Sequence, residues 1–236
     1  MIFCAIFRFS FPVPHSTVDV MAQNPKKIAD VYDTVAFEYA EKFCGEHEKK
    51  PMDRVILYRF SQEVEGKKPI WDFGCGPGQT TQYLRNLGVE ISGLDLSEKL
   101  IKQANILHPG ITFRKGNILD LEFKDESIAG IVAFYAIVHF SQDQLQKAFR
   151  EIFRVLQPGG KFLFTYHIGE EAIHLSEFLG KVVEIDFMFF KTDFILICIE
   201  DTGFADIEII ERDPYPEVEY QSRRAYVFAK KPTANR

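Results

Sequence analysis

The chain has 236 residues, 46% of them hydrophobic, a formal net charge of −6 and an isoelectric point near 5.6. That apolar content suffices for the core of one α/β domain. The acidic balance, with Lys and Arg scattered singly or in short pairs such as Lys26-Lys27 and Arg223-Arg224, argues against the broad basic face that sequence-independent nucleic-acid binding requires.

Met1 to Val20 is apolar and aromatic, but Arg8 interrupts it and no basic region precedes it, as a secretory signal would require. We expect residues 1–20 to be an extension outside the fold and residues 21–236 to form a single domain. Within it, 21–66 is a helical cap and 67–236 a sheet-based core with a lid insertion over about 168–191. No run is long enough to span a bilayer, so no membrane contact is expected. Cys4, Cys44, Cys75 and Cys198 show neither CxxC spacing nor nearby His pairs, which points away from a metal site or disulfides and toward a reduced, cytoplasmic compartment.

Ile28, Val31, Tyr32, Val35, Ala36, Tyr39, Ala40 and Phe43 recur at helical spacing. Tyr32 and Tyr39 share a face, which serves either core packing or a lid. Val55, Ile56, Leu57, Phe60 and Val64 predict a second helix, stopped by Gly66 and Pro69. Ile70-Trp71-Asp72-Phe73 then runs into Gly74-Cys75-Gly76-Pro77-Gly78 and a helical pattern over 79–87: a buried strand, a tight turn and a helix N-terminus. Glycine there permits positive φ and lets a ligand approach bare backbone. Free N–H groups at the helix start face the same ligand. The next strand, 89–95, ends in Asp95, beside the turn, where open α/β sheets bind ligands. A carboxylate there can accept both hydroxyls of a ribose.

Ser97 and residues 99–107 predict a helix, 111–115 a third strand and 127–134 a fourth with the continuous apolar character of a parallel centre. Ser141 caps a helix over 144–156, and 161–166 is a fifth strand. Residues 170–179 read as a helix, 182–190 as a strand or lid, and 192–202 as a helix ended by Gly203. Two closing strands, 204–211 and 225–229, follow each other without a crossover helix and predict an antiparallel edge.

Several stations stand in a fixed order: Asp72-x-Gly74-x-Gly76-x-Gly78, Asp95 after Gly93-Leu94, Gly116-Asn117, Ala136-Ile137-Val138-His139-Phe140, and Leu156-Gln157-Pro158-Gly159-Gly160. Together, over about residues 32–231, they resemble the class I S-adenosylmethionine-dependent methyltransferases of the small-molecule type. The resemblance implies a Rossmann-like, doubly wound, mostly parallel seven-stranded α/β sheet with an antiparallel last strand, helices on both faces and an N-terminal helical cap. It implies S-adenosyl-L-methionine as cofactor, S-adenosyl-L-homocysteine as product, and in-line transfer to an oxygen, nitrogen or carbon of a small acceptor. Gly74, Cys75, Gly76, Gly78, Gln79 and Thr80 would form the turn under the cofactor, with Asp72 near its amino end and Asp95 on the ribose. Leu96 would pack on adenine, and Asn117 with Ile118 would face its edge. Asn117 replaces the family's usual Asp; its oxygen can still accept from the adenine amino group. Ala129 replaces an Asp that often begins the fourth strand. Tyr39 and Tyr135 are candidates for an aromatic face near the sulfonium, worth roughly 0.5–2 kcal/mol of cation–π attraction.

His139, just beyond the fourth strand, is the candidate general base, with His167 a weaker alternative. Phe187 to Phe190 are candidates for an acceptor wall or for core. Glu219, Arg223 and Arg224 read as ion pairs, or Arg223 as an anchor for a carboxylated acceptor. A nicotinamide-dependent oxidoreductase would need glycine where Gln79 stands. A non-catalytic S-adenosylmethionine-binding sensor, or a methyltransferase acting on a macromolecule, are the alternatives; a nucleic-acid partner is not expected, and the protein is read as a monomer or homodimer.

Overall fold

The computed structural model describes residues 23–233, so the extension expected at 1–20 lies outside them. Helix α1 (Pro25–Phe43) starts with Asn24 accepting the Lys26 N–H and a proline in its first turn, and buries Val31, Val35, Ala36 and Ala40. A short 3-10 turn (Glu46–Lys49) leads into α2 (Pro51–Glu63). The chain then alternates: β1 (Ile70–Phe73), α3 (Gln79–Asn86), β2 (Ile91–Asp95), α4 (Glu98–Leu107) and β3 (Phe113–Lys115). After these come β4 (Ile128–Ala133), α5 (Gln142–Val155) and β5 (Leu156–His167). A hairpin of β6 (Ala172–Phe178) and β7 (Lys181–Met188), then α6 (Thr192–Thr202), β8 (Ala205–Arg212) and β9 (Arg224–Lys230), complete the chain.

Seven strands form one sheet in the order β3-β2-β1-β4-β5-β9-β8. β1 to β5 run parallel, while β9 is antiparallel to both β5 and β8. The sequence expectation is met: a doubly wound, Rossmann-like sheet, with the antiparallel strand placed second from the edge. Every residue of the central β4 is buried, as a strand covered on both faces must be. α5 covers one face with Leu145, Ala148, Phe149 and Ile152 against Phe162 and Phe164 of β5. Its start is fixed by a capping box in which Ser141 and Gln144 exchange bonds. α2 and α3 cover the other face through Ile56, Leu57, Phe60 and Leu84. The chain order reverses between β1 and β4, and the carboxyl ends of both strands open on one rim.

The stretch 170–179, expected to be helical, is instead β6, paired antiparallel with β7. Leu179 (φ 51°) and Gly180 (φ 75°) form a two-residue turn with both φ positive, the geometry that suits a tight hairpin. Alternating Val183 and Ile185 bury onto Val31 of α1. The inserted hairpin and the cap helix therefore pack together. Gln23 ties them further, its side chain bonding both the N–H and the C=O of Asp186 at 3.1 and 2.8 Å.

α1 is also pinned to α4, because Asp33 Oδ1 accepts from Ser97 Oγ at 2.5 Å and from the Lys99 N–H at 2.9 Å. A carboxylate there caps orphan donors and meets the positive end of α4. We predict that Asp33→Ala costs ~0.5–2 kcal/mol in urea unfolding. Faster hydrogen exchange should appear in α1 and the first turn of α4, while the amides of β4 and β5 keep their protection.

Candidate active site

The floor of the site is the turn after β1. The N–H groups of Gly74 and Cys75 both donate to Leu94 O, at 2.7 and 3.1 Å, tying the turn to β2. Gly74 has φ 71°, and a Cβ on it would stand 2.4 Å from that of Ala136, in the segment after β4. No side chain fits there. Gly78, with φ 88°, is similarly closed by His108 and Phe113, each 2.8 Å from where a Cβ would lie. Gly76 is more open: its added Cβ would meet Tyr39 at 3.7 Å and Gln79 Oε1 at 3.9 Å and nothing else within 4 Å. Above the turn sits α1.

Asp95 ends β2 beside this floor. Its two oxygens accept from the N–H groups of Gly76 and Ser97, each at 2.8 Å. Burial raises its pKa against those donors. Asp72, by contrast, points beneath the floor, where it is fully buried and accepts from Thr81 Oγ1 at 2.6 Å. It holds α3 onto β1. Cys75 faces Ile101, Ala104, Ile111 and Phe113, and burial pushes its thiol up, so it is a packing residue. Leu96 is half-buried next to Asp95. Ile118 is buried, its Cδ1 lying 4.0 Å from the Cβ position of Gly74. Asn117 uses its side-chain oxygen to accept the Leu119 N–H at 2.9 Å, which leaves its NH2 as the available group. Gln79 and Thr80 turn onto the 3-10 segment: Gln79 Nε2 donates to Glu46 at 2.9 Å, and Thr80 Oγ1 lies 3.1 Å from His47 Nε2.

One wall is aromatic. Tyr32 and Tyr39 of α1 meet edge to face at 5.5 Å, and both rings lie 6.3 Å from Phe178 of β6. Phe187 of β7 joins Phe178 at 5.7 Å and His139 at 4.7 Å. His139 Nδ1 lies 2.7 Å from Asp186 O, and its Nε2 2.7 Å from the Tyr32 hydroxyl. A carbonyl only accepts, so Nδ1 carries the proton and Nε2 accepts from Tyr32. Burial lowers the His139 pKa to about 4 and keeps the ring neutral. Both of its nitrogens are thus engaged, joining α1 to β7.

The other wall is charged. Tyr135, strained at φ 53°, has Lys50 Nζ and Arg224 Cζ at 5.8 and 5.7 Å from its ring centre. His167 lies 5.2 Å from the same ring and stacks on Phe189 at 5.1 Å. Burial first, then Arg224, Lys50 and Arg212, hold His167 down to about 3. Glu219 gathers the three cations: it accepts from Arg212 and lies 3.3 Å from Arg224 Nε and 3.8 Å from Lys50. Asp53 accepts from the Tyr226 hydroxyl and from Arg212, and Glu46 pairs with Lys50 at 2.5 Å. Among the buried side-chain atoms without a partner are Tyr135 Oη, Arg224 Nε, Asp53 Oδ2, His47 Nδ1 and Gln79 Oε1.

The two tyrosines offered for a cation thus separate: Tyr39 covers the glycine turn, and Tyr135 belongs to the charged wall. Arg223, considered as an acceptor anchor, stands at the surface paired with Glu211 at 2.8 Å. Its neighbour Arg224 is the inward one, as strand alternation requires. Lys50 and Asp53 carried no recognisable signal, because apart from Glu46 beside Lys50 their partners lie more than a hundred residues away; Glu219 and the paired arginines at the start of β9, read as ion pairs, were the hint.

Burial raises the Asp72 carboxyl from an ordinary 3.8 to about 7. The folded state therefore holds a proton there that the unfolded chain releases, and folding is progressively opposed as pH rises through that interval. Asp72→Asn, which keeps an acceptor for Thr81, should gain stability relative to wild type between about pH 4 and pH 7 and hold a constant advantage above. Urea unfolding across that range measures it.

Comparison with known proteins agrees with this geometry. A family model described as a methyltransferase domain matches residues 71–164. A malonyl-[acyl-carrier protein] O-methyltransferase of Erwinia billingiae is 31% identical over 147 residues, 60% of this chain and 54% of that protein. A tRNA N(3)-methylcytidine methyltransferase of Schizosaccharomyces pombe is 30% identical over 155 residues, 57% of this chain and 50% of that protein. The chain thus spans about half the length of these curated relatives. A solved phosphoethanolamine N-methyltransferase 2 of Haemonchus contortus, in complex with phosphomonomethylethanolamine and S-adenosylhomocysteine, shares the fold at a TM-score of 0.64 and 19% identity, over 91% of this chain and 61% of that one. With the strand order, the glycine floor and Asp95 in place, residues 71–164 match a methyltransferase domain, and the chain has the class I, Rossmann-like methyltransferase fold.

Proposed function

We propose that this protein transfers a methyl group from S-adenosyl-L-methionine to a small-molecule acceptor. The observation that carries the reading is Asp95, fixed by the Gly76 and Ser97 N–H groups at the rim of a side-chain-free turn that Tyr39 covers. The residues fit the donor. Gly76 leaves a cradle under Tyr39, Asp95 offers carboxylate oxygens to a ribose, and Gln79 Oε1 is a buried acceptor without a partner beside that cradle. Asn117 would donate its NH2 to an adenine ring nitrogen, in place of accepting from the amino group. Asp72 acts from below, by fixing the start of α3.

When bound, S-adenosyl-L-methionine supplies an electrophilic methyl on a sulfonium. The chain's own work is to orient and to exclude water. Correct alignment of two reacting groups is worth effective molarities of about 10⁵–10⁸ M, so no covalent help from the protein is required. Tyr39, and Tyr32 behind it, offer π faces that favour a cation by roughly 0.5–2 kcal/mol. The acidic surface favours a small acceptor over nucleic acid. No helix among the described residues is long and apolar enough to cross a membrane.

His139 in this arrangement is a positioning residue, holding Tyr32 over the floor with its remaining nitrogen bound to β7. We expect Tyr32→Phe and His139→Ala both to lower kcat, and the double variant to be no worse than His139→Ala alone, since that substitution already removes the contact that Tyr32→Phe removes. A loss confined to His139→Ala would instead make the imidazole the base. The overall assignment is tested with methyl-labelled donor and a cell extract separated into metabolite, RNA and protein fractions. Label is expected among the metabolites. Label in RNA or protein would move the acceptor to a macromolecule, and donor binding without transfer would favour a sensor.

A further inference from the structure

Resting on the methyltransferase reading, we propose that the charged wall is an acceptor subsite for an anionic group, a carboxylate or a phosphate, held by Lys50, Arg224 and the Tyr135 hydroxyl. The argument starts from what is left unpaired. Arg212 is satisfied, since its guanidinium reaches Glu219, Asp53, the Tyr226 hydroxyl and Asp213 O. The other two cations are not. Arg224 Nη1 donates to the carbonyls of Tyr220 and Ser222, but its Nε makes no hydrogen bond even though Glu219 stands 3.3 Å away. Lys50 has one close partner, Glu46, and is 3.8 Å from Glu219, beyond hydrogen-bonding length. The Tyr135 hydroxyl is buried with no partner at all.

These donors converge. Lys50 and Arg224 both stand within 6 Å of the Tyr135 ring centre, and their side chains are 8% and 3% exposed. A buried donor left unsatisfied is costly, and a charged one more so. The group that satisfies all three must accept several hydrogen bonds and bear negative charge. Of the site's acids, Glu46 and Glu219 are engaged on these cations, and Asp53 accepts from Arg212 and the Tyr226 hydroxyl through Oδ1, its Oδ2 standing without a partner. His167 faces this cluster as a neutral ring, its Nδ1 2.6 Å from Ser222 Oγ, so no imidazolium competes for the ligand. Position completes the case. Tyr135 is the residue before Ala136, whose methyl group closes on Gly74 of the floor, so an anion seated here holds its acceptor alongside the methyl donor and opposite the aromatic wall. The strained backbone of Tyr135, fixed by its N–H to Thr165 Oγ1 at 2.8 Å, aims the ring at this wall.

The test separates this subsite from the tail of the donor, which also carries a carboxylate. Inorganic phosphate, acetate and malonate are titrated calorimetrically into the whole protein, first alone and then saturated with S-adenosylhomocysteine, whose own binding is measured separately. The expected result is that one or more of these anions binds in both states. Lys50→Gln and Tyr135→Phe should weaken that binding about tenfold or more without changing S-adenosylhomocysteine affinity. Arg223→Gln, at the surface, should change neither. Arg224→Gln is a third probe, and Lys50→Gln and Tyr135→Phe decide the matter should it fail to fold. Anion binding that disappears on saturation, that survives both variants, or that is absent from the wild type would each overturn the subsite. Failure of S-adenosylhomocysteine itself to bind would overturn the methyltransferase reading instead.

Discussion

The contact between Gly74 and Ala136 governs the rest of the site. At that point the turn after β1 and the segment after β4 approach so closely that a Cβ on the glycine would overlap the alanine methyl. Bringing the two loops together leaves a floor of bare backbone with the N-terminus of α3 opening beside it. It also fixes the short segment around Ala136, from which Tyr135 and His139 leave toward opposite walls. The sheet below is the rigid part of the arrangement, because its central strand is wholly buried and flanked by parallel neighbours.

The two walls divide the chemistry. On one side, Tyr32, Tyr39, Phe178 and Phe187 present rings from α1 and the β6–β7 hairpin, an environment suited to a diffuse positive charge. On the other, three cations and three carboxylates form a buried network in which breaking any single pair strands a charge in low dielectric, at a cost of ~3–5 kcal/mol. Such a network gives little net stability and fixes geometry. The α1 and hairpin side is held by a few hydrogen bonds: Asp33 to Ser97 and Lys99 at the start of α4, Gln23 to the N–H and C=O of Asp186, and Tyr32 to His139.

Much of this was legible in the residues. The glycine turn and Asp95 follow from short-range patterns, an apolar run, alternate glycines and an acid at a strand end, while the doubly wound sheet came with the resemblance that these stations carry. Helices α1 to α5 follow from apolar periodicity and caps such as Ser97 and Ser141. The β6 strand was misread because Glu170-Glu171-Ala172 begins like a helix and Leu179-Gly180 is a weak turn signal, while Ile173, Leu175 and Phe178 fit either period. Of the charged wall, Glu219 and Arg224 were read as ion-pair residues, but their convergence with the cap was not, for a different reason. Lys50 and Asp53 come from the cap, and Arg212, Glu219 and Arg224 from the far end of the chain, so only the folded sheet brings them together. His139 lies just beyond β4, as expected, and its partners, Tyr32 and the Asp186 carbonyl, belong to elements distant in sequence.

The account depends most on Asp95 holding a nucleoside at the rim of the glycine floor. Calorimetric titration of S-adenosylhomocysteine into wild type and Asp95→Ala, with thermal unfolding to establish that both are folded, tests this directly. Saturable binding to the wild type that is lost in the folded variant is the predicted result. Equal binding to both, or none to the wild type, would contradict it.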